Sequence, residues 1–412
     1  MNANRWGVLA GVLAMAGPVA ADDWPMFRGP SGNGISKEKT APATWAPDKN
    51  VLWRVALPQL GNGSPIVSNG RVFVTCAEDV DGARRSLYCF DRKDGKQLWV
   101  RTLEFGKREI THKTNPYCGT TPAADGKLVV VWEGSAGLHC YDFEGKELWK
   151  RDFGEFRHMW GYGTSPVIHD GKVFLNSGPG ARVFVTALNL GDGKTIWETL
   201  EPSKGNNDNN EGGKPKGSWS TPLVVKNQIL CSMPTRVVAY GAADGKILWT
   251  CDGLRFDKGD LAYSSPVLAG DILTVTGGYN GPRMGLRLGG SPLWRTDSKE
   301  NPQSIGSGVV IDGLIYQPFE GPNAIDCIDP GTGKNVWREA RAGGAFWGSM
   351  VAAAGRIYVT DKGGTTVVFK PNAQKFEPVA RNELKEESNS TPAVSDGRIF
   401  IRTFKALYCI GE

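Results

Sequence analysis

The chain has 412 residues, 54 of them Gly and 14 Trp, with a formal net charge of +5 at pH 7. So small a charge, carried by scattered rather than striped basic residues, argues against nucleic acid or an anionic membrane as partner. The 4 His have no metal-ligand spacing and none of the 8 Cys adjoins another, which argues against a His-rich metal centre.

Residues 1–21 carry one charge (Arg5), an apolar run from Val8 to about Gly17, and small residues at Val19 and Ala21. This pattern predicts a cleaved secretory signal peptide, hence a secreted or periplasmic protein. The run is too short to span a bilayer, and no Cys near the cleavage point offers a lipid anchor. Removal of these residues leaves a charge of +4, since they hold one Arg and no acid. Residues 22–49, rich in Pro, Gly and Ser, predict an extended arm packed on the body by Trp24, Phe27 and Trp45. Residues 50–412 predict a single repeated domain.

Within that domain, LYCFDRKDGKQLW predicts strands over Leu87–Asp91 and Gln97–Arg101 joined by a tight turn at Asp94-Gly95. Trp99 lies four residues after Gly95, an interval repeated at Gly145–Trp149, Gly193–Trp197, Gly245–Trp249, Gly290–Trp294 and Gly333–Trp337. Counted from Trp53, these tryptophans are 46, 50, 48, 52, 45 and 43 residues apart. Each unit opens on a Ser/Thr-Pro step: Ser64-Pro65, Thr121-Pro122, Ser165-Pro166, Thr221-Pro222, Ser265-Pro266 and Thr391-Pro392, with weaker forms from Gly306 and Gly348. An apolar strand, a short turn and three further strands follow. Four antiparallel strands per repeat, at this period, predict an all-β, eight-bladed β-propeller.

The last unit, SDGRIFIRTFKALYCIGE, supplies three strands. The strand Val51–Leu57 is therefore predicted to pair with Ala406–Ile410 and close the ring. Blade seven reads with Glu377 where the tryptophan belongs, which predicts a looser joint there. Glu201–Gly217 is polar and Asn/Gly-rich; it predicts a surface loop and lacks the regular ligand spacing of a calcium site. Cys89, Cys140, Cys327 and Cys409 share one repeat column with Ala187 and Ala239, so they read as small buried groups. A Cys76–Cys89 disulfide is the pairing left open.

The pattern strand-D-x-x-D/T-G-K-x-ϕ-W, with its Ser/Thr-Pro step, resembles the pyrroloquinoline quinone (PQQ)-type β-propeller repeat from Val51 to the C-terminus. The head WPMFRGPSGNGIS resembles the opening of a group of secreted bacterial proteins in that superfamily. The resemblance implies that Trp53 and the six regularly spaced tryptophans dock between neighbouring blades. It also spans quinoprotein dehydrogenases, the scaffold lipoprotein of outer-membrane barrel assembly and binding modules, and fold does not choose among these. The dehydrogenases clamp the quinone between a Trp and a ring of two adjacent cysteines, with Ca²⁺ on acidic and amide side chains. This chain has no adjacent Cys pair and no acid in the segments leading into the Ser/Thr-Pro steps. No cofactor is therefore expected, PQQ with Ca²⁺ being the alternative.

Propeller ligands bind at the central funnel, lined by the residues that lead into the innermost strands. The aromatics Tyr117, Trp160, Tyr162, Trp219, Tyr263 and Trp347 recur there, with Asn62, Asn115, Ser304 and Asn389 beside them. His112 is the most site-like histidine. These groups either wall a site for a planar or sugar-like ligand or plug the hole in a wide ring. No G-x-S-x-G turn, phosphate-cradling loop or metal set is present, so no catalytic or metal-binding residue is named. The expected function is an extracytoplasmic binding or scaffold module, a monomer, taking a protein partner or small ligand at the funnel. A PQQ-dependent dehydrogenase acting on alcohols or sugars is the alternative.

Overall fold

Eight four-stranded antiparallel sheets form a ring in the computed structural model, which describes residues 23–180, 182–201, 214–297 and 302–412. The predicted signal peptide, 1–21, lies outside the described residues, as does most of the predicted loop 201–217. The end of that segment is strand: Lys216–Ser218 pairs in parallel with Asp260–Ala262. In blade 1, the strands Ile66–Ser68, Arg71–Ala77, Arg84–Asp91 and Gln97–Glu104 run in order from the axis outward. Blades 2 to 7 repeat this order. Blade 8 takes Ala393–Ser395, Arg398–Arg402 and Ala406–Ile410 from the C-terminal end and Val51–Ala56 from the N-terminal side. Trp53 stands opposite Cys409 in that pairing, and the ring closes as the sequence predicts. No sheet edge is left open between the two ends of the propeller. No helix among the described residues is long and apolar enough to cross a membrane.

The turn at Asp94-Gly95 is wider than predicted. The Asp91 N–H donates to Lys96 O (2.8 Å), so the chain reverses over Arg92–Gly95, with Gly95 at φ +72°. Beyond it, Phe90 pairs with Gln97 and Cys89 with Trp99, which leaves Leu98 as a bulge. The extra residue resets the alternation of the strand: Trp99 turns inward at 8 % exposure and Leu98 outward at 41 %. The same irregularity recurs in every other blade, exposing Leu52, Leu148, Ile196, Leu248, Leu293, Val336 and Val379.

This register also accounts for the column of small residues. Cys89, Cys140, Ala187, Ala239, Gly285, Cys327 and Cys409 each stand directly across from a tryptophan. A Cβ on Gly285 would lie 2.4 Å from the Trp294 ring, so blade 5 takes glycine there, while the other tryptophan-facing positions take nothing larger than Ala or Cys. All eight cysteines are free and buried; Cys76 faces Ser86 and Cys89 faces Phe73 across the sheet, so the two are not bridged. Burial pushes the Cys89, Cys140 and Cys409 thiols up to about 12, which suits packing rather than nucleophilic chemistry.

Each indole reaches the neighbouring blade. Trp99 Nε1 donates to Phe143 O (2.8 Å), and its ring stands 2.8 Å from where a Cβ on Gly145 (φ +81°) would be. Trp53, Trp149, Trp197 and Trp294 lie in the same way on Gly95, Gly193, Gly245 and Gly333. Blade 7 needs a correction. Glu377 begins its outer strand opposite Lys370, and the tryptophan position belongs to Ala380, across from Val368. Trp45 of the arm packs in the same core cluster as Ala380 at 4 % exposure. It is held by its backbone N–H to Asn382 Oδ1 (3.0 Å), while Asn382 Nδ2 donates to Ala43 O (2.9 Å).

The arm begins on blade 1, where Trp24 bridges to Val67, and crosses to blade 2, where Ala124 N–H donates to Pro25 O (2.7 Å). Met26 packs with Ala123, Val167 and Val224 from the inner strands of blades 2, 3 and 4. Ile35 then bridges to Ala352 of blade 7. The arm therefore traverses the axis of the ring, and Phe27 floors the central channel.

Candidate functional site

The channel is built on a belt of hydroxyls. The backbone N–H of Ser64 donates to Thr121 Oγ1 (3.0 Å), Thr121 to Ser165 Oγ (3.0 Å), Ser165 to Thr221 Oγ1 (3.1 Å) and Thr221 to Ser265 Oγ (3.1 Å). Ser265 donates to Ser307 Oγ (2.9 Å), Ser307 to Ser349 Oγ (3.0 Å), Ser349 to Thr391 Oγ1 (2.9 Å) and Thr391 back to Ser64 Oγ (2.9 Å). Each blade thus bonds to the next through the first residue of the Ser/Thr-Pro step. In blades 6 and 7, where Gly308 and Met350 replace the proline, the hydroxyl is kept.

Above the belt lies a cavity of about 380 Å³, with three chemically distinct arcs. Blades 3, 4 and 5 supply an aromatic wall of Trp160, Trp219, Tyr263 and Tyr279. Trp160 and Trp219 have centroids 5.9 Å apart, and Trp160 meets Tyr279 edge-on at 5.2 Å. Trp219 is fixed by its Nε1 donating to Gly161 O (3.0 Å). Burial pushes the Tyr263 phenol well up, so it remains a neutral O–H. Aromatic faces of this kind present an apolar, flat surface.

Blades 8, 1 and 2 supply an amide arc. Asn389 Nδ2 donates to Asn62 Oδ1 (3.1 Å), and Asn62 Nδ2 donates to Asn115 Oδ1 (3.1 Å) and Thr114 O (3.0 Å). Asn115 Nδ2 in turn donates to Trp160 O (2.7 Å) and Tyr162 O (3.0 Å), which joins this arc to the aromatic one. His112 lines the same side, its Nδ1 paired with Thr114 Oγ1 at 2.7 Å. Blades 6 and 7 supply the charged arc. Glu320 accepts from Trp347 Nε1 (2.8 Å, Oε1) and Gln303 Nε2 (2.6 Å, Oε2), and Lys362 Nζ lies 4.9 Å from the Trp347 ring centroid.

Of the residues singled out from sequence, the fold brings Asn62, His112, Asn115, Trp160, Trp219, Tyr263, Trp347 and Asn389 to this one cavity. Tyr117 and Tyr162 are turned away from it. Both pack against the buried Arg85 guanidinium, at 5.3 and 5.6 Å. Tyr117 donates to Glu109 O (2.6 Å) and Tyr162 to Glu133 Oε2 (3.2 Å). Ser304 is buried and bonded to Gly306 O and Gln317. Sequence reasoning missed Phe27, Tyr279 and Glu320 as lining residues. Tyr279 and Glu320 sit on the Gly-Pro-containing connections between second and third strands of blades 5 and 6, and that composition was their one signal.

The family model described as outer membrane protein assembly factor BamB matches residues 35–109, 83–316, 286–374 and 322–410. Among curated proteins, none matches the sequence significantly. The crystal structure of BamB from Moraxella catarrhalis superposes with a TM-score of 0.62 at 15% identity, covering 87% of this chain and 99% of that one. A europium-containing methanol dehydrogenase gives a TM-score of 0.66 at 13% identity, covering 95% of this chain and 98% of its own. The quinohemoprotein alcohol dehydrogenase from Comamonas testosteroni gives 0.68 at 13% identity, covering 95% and 81%. At these identities the structural likeness carries the fold alone. With matches running from residue 35 to 410, the chain belongs to the PQQ-like β-propeller family described as outer membrane protein assembly factor BamB.

Proposed function

We propose that this protein is a monomeric, extracytoplasmic binding module that takes a small planar or sugar-like ligand in its central funnel, without catalysing a reaction. The observation that carries this reading is the division of one 380 Å³ cavity into an aromatic wall and a facing amide and carboxylate arc. A flat ring with hydroxyls on its edge stacks on the former and hydrogen-bonds to the latter. The tryptophans of the outer strands are then blade-to-blade docks rather than site residues. The family description, an outer-membrane assembly factor, supports a second reading in which a protein partner engages the funnel face.

The residues present do not fit PQQ and its metal. Among the described residues no group of three or more His, Cys, Asp or Glu could hold a cation. Glu320 is the one carboxylate among the lining residues, and its two oxygens are already committed to Trp347 and Gln303. Cys118, in the segment leading into blade 2, is fully buried. Calcium takes several oxygen ligands with carboxylates among them, and here the amide oxygens of Asn62 and Asn115 already accept hydrogen bonds, as does the lone carboxylate.

Titration of the full chain with a neutral disaccharide panel, followed by tryptophan fluorescence and calorimetry, tests the proposal. Saturable quenching that Trp219→Ala weakens by about twofold to tenfold is expected, since one stacked aromatic pair contributes about 0.5–1.5 kcal/mol. A panel that leaves fluorescence and heat unchanged, beside tight binding of PQQ with Ca²⁺, would overturn it. Cross-linking in the cell envelope tests the partner reading, and a specific protein adduct at the funnel rim is its expected result.

A further inference from the structure

Behind the funnel, the two connections that carry the seam between its amide and aromatic arcs rest on one buried cluster of charges. Residues 105–122 run from blade 1 to blade 2 and bring His112, Thr114 and Asn115 to the cavity. Residues 152–166 run from blade 2 to blade 3 and bring Trp160. Asn115 Nδ2 crosses between the two connections, onto Trp160 O and Tyr162 O.

At the centre of the cluster is Arg85, buried on the third strand of blade 1, Arg84–Asp91. Its Nη2 donates to Glu109 Oε2 (2.8 Å), its Nε to Gly82 O (2.8 Å), and its Nη1 to Glu133 O and to the Tyr162 hydroxyl (3.2 Å). Phe105 packs on the guanidinium at 4.9 Å. Glu109 also accepts from the Ser135 hydroxyl, and Tyr117 donates to Glu109 O, so the first connection is tied down on both sides of His112–Asn115. Tyr162 ties down the second, accepting from Arg85 and donating to Glu133 Oε2 (3.2 Å). None of Arg85, Glu109, Glu133 and Tyr162 lines the cavity itself.

Glu133 follows the second strand of blade 2, Leu128–Trp132, and is buried. It faces Arg85 of blade 1, Cys118 and Tyr162 of the two connections, and His139 of the third strand of blade 2. His139 is engaged elsewhere, with Glu147 Oε2 (3.0 Å) and Ala136 O (3.0 Å). The guanidinium is already paired with Glu109. Burial pushes the Glu133 carboxyl up to about 7 in spite of these neighbours.

We propose that Arg85, Glu109, Glu133 and Tyr162 are positioning residues for the funnel, and that the proton on Glu133 keeps the seam of Asn115 and Trp160 in its ligand-binding arrangement. The inference rests on the funnel being the ligand site and adds the regulation of that site. With Glu133 neutral, one guanidinium meets one carboxylate and the buried charges balance. Ionisation adds a second buried negative charge with no cation of its own, an arrangement that buried sites tolerate poorly. Arg85 is then divided between two carboxylates, or water enters beside Tyr162. Either change displaces Tyr162, whose backbone carbonyl holds Asn115. Ligand binding needs the seam closed, so it favours the protonated acid. Affinity is therefore highest below about pH 7 and falls as pH rises through that value.

Calorimetric titration of the full chain with the tightest-binding member of the neutral disaccharide panel tests this, from about pH 6 to about pH 8.5. A loss of about fivefold or more in affinity is expected across that range. Glu133→Gln, which keeps the shape of the neutral acid, and Tyr162→Phe, which lacks the relaying hydroxyl, are each expected to flatten the profile. His112→Gln is expected to keep it. A cluster that merely supported the fold would shift the unfolding midpoints of these variants and leave the profile in place. A profile that survives Glu133→Gln, or that His112→Gln abolishes, overturns the proposal by placing the titrating group elsewhere. A flat profile in the unaltered chain overturns it too, and leaves the ligand reading intact. Should no disaccharide bind, the ligand reading is what fails, and the ligand-free protein decides the inference. The emission of Trp160, taken as the difference between the unaltered chain and Trp160→Phe, is expected to shift over the same pH range and to stop shifting in the Glu133→Gln background. A Trp160 emission that stays constant with pH overturns the proposal.

Discussion

The neighbouring residues Leu98 and Trp99 offer a sharp test of how the blades are held. A strand without a bulge would put one of them in and the other out by plain alternation, beginning from Gln97; the bulge at Leu98 is what turns Trp99 to the interior. Trp99 packs on Phe73 at 5.8 Å and Tyr141 at 6.4 Å and donates to Phe143 O across the blade junction. Truncation to Ala removes that packing, which amounts to about 3–5 kcal/mol, and strands a buried carbonyl for about 1 kcal/mol more. Leu98→Ala removes an exposed side chain and changes stability by less than about 0.5 kcal/mol. Urea unfolding followed by far-ultraviolet circular dichroism measures both. A midpoint that drops as far for Leu98→Ala as for Trp99→Ala would falsify the bulge-dependent packing argued for all eight blades.

Trp45→Ala is expected to destabilise by about 3–5 kcal/mol in the same assay, far more than an arm residue with a free side chain, because its indole is buried in the core cluster that blades 7 and 8 share. Stability unchanged in that variant would show that the blade 7–8 joint does without it. The buried Glu133 carboxyl is raised from 4.5 to about 7, by burial above all, against the pull of Arg85 and the Tyr162 hydroxyl. The folded state then holds a proton that the unfolded state has released, so this group's contribution favours folding below about pH 4.5 and fades as pH rises to about 7, staying level above that. Thermal midpoints of Glu133→Gln should accordingly decline less between those pH values than those of the unaltered chain, and parallel curves would sink the assignment. Deleting Val51–Ala56 uncovers Ala406–Ile410 as an edge strand, and light scattering should report aggregation. A soluble truncation with an unchanged unfolding midpoint would contradict ring closure.

The parts of this protein that repeat were legible, and the parts that break the repeat were not. Trp99 and its counterparts, the Ser64–Thr391 series and the Cys89 column each mark a position eightfold related, so their spacing revealed blade number and ring closure. The bulge escaped notice because Leu98 and Trp99 are both apolar, and a pair of adjacent apolar residues does not say which one is inside. Tyr117 and Tyr162 lie in the right segments but are drawn off by Arg85, a buried charge on the third strand of blade 1. Glu320 and Tyr279 line the funnel from connections whose length varies between blades, where periodicity is silent. Glu377 misled because the outer strand of blade 7 begins earlier relative to its tryptophan position than the repeat spacing implies.

The belt of hydroxyls has a consequence for how this fold can vary. Each of its bonds joins like to like, and the join between the two chain ends at Thr391 and Ser64 matches the rest. The width of the channel is therefore set in whole blades: a repeat gained or lost would require every N–H in the belt to re-aim at a new neighbour. Gradual change can reach only the wall above it, where Trp160, Asn62 and Glu320 belong to different blades and are free to diverge one at a time. A lineage of such propellers can thus exchange ligands residue by residue while the axle they turn on stays uniform.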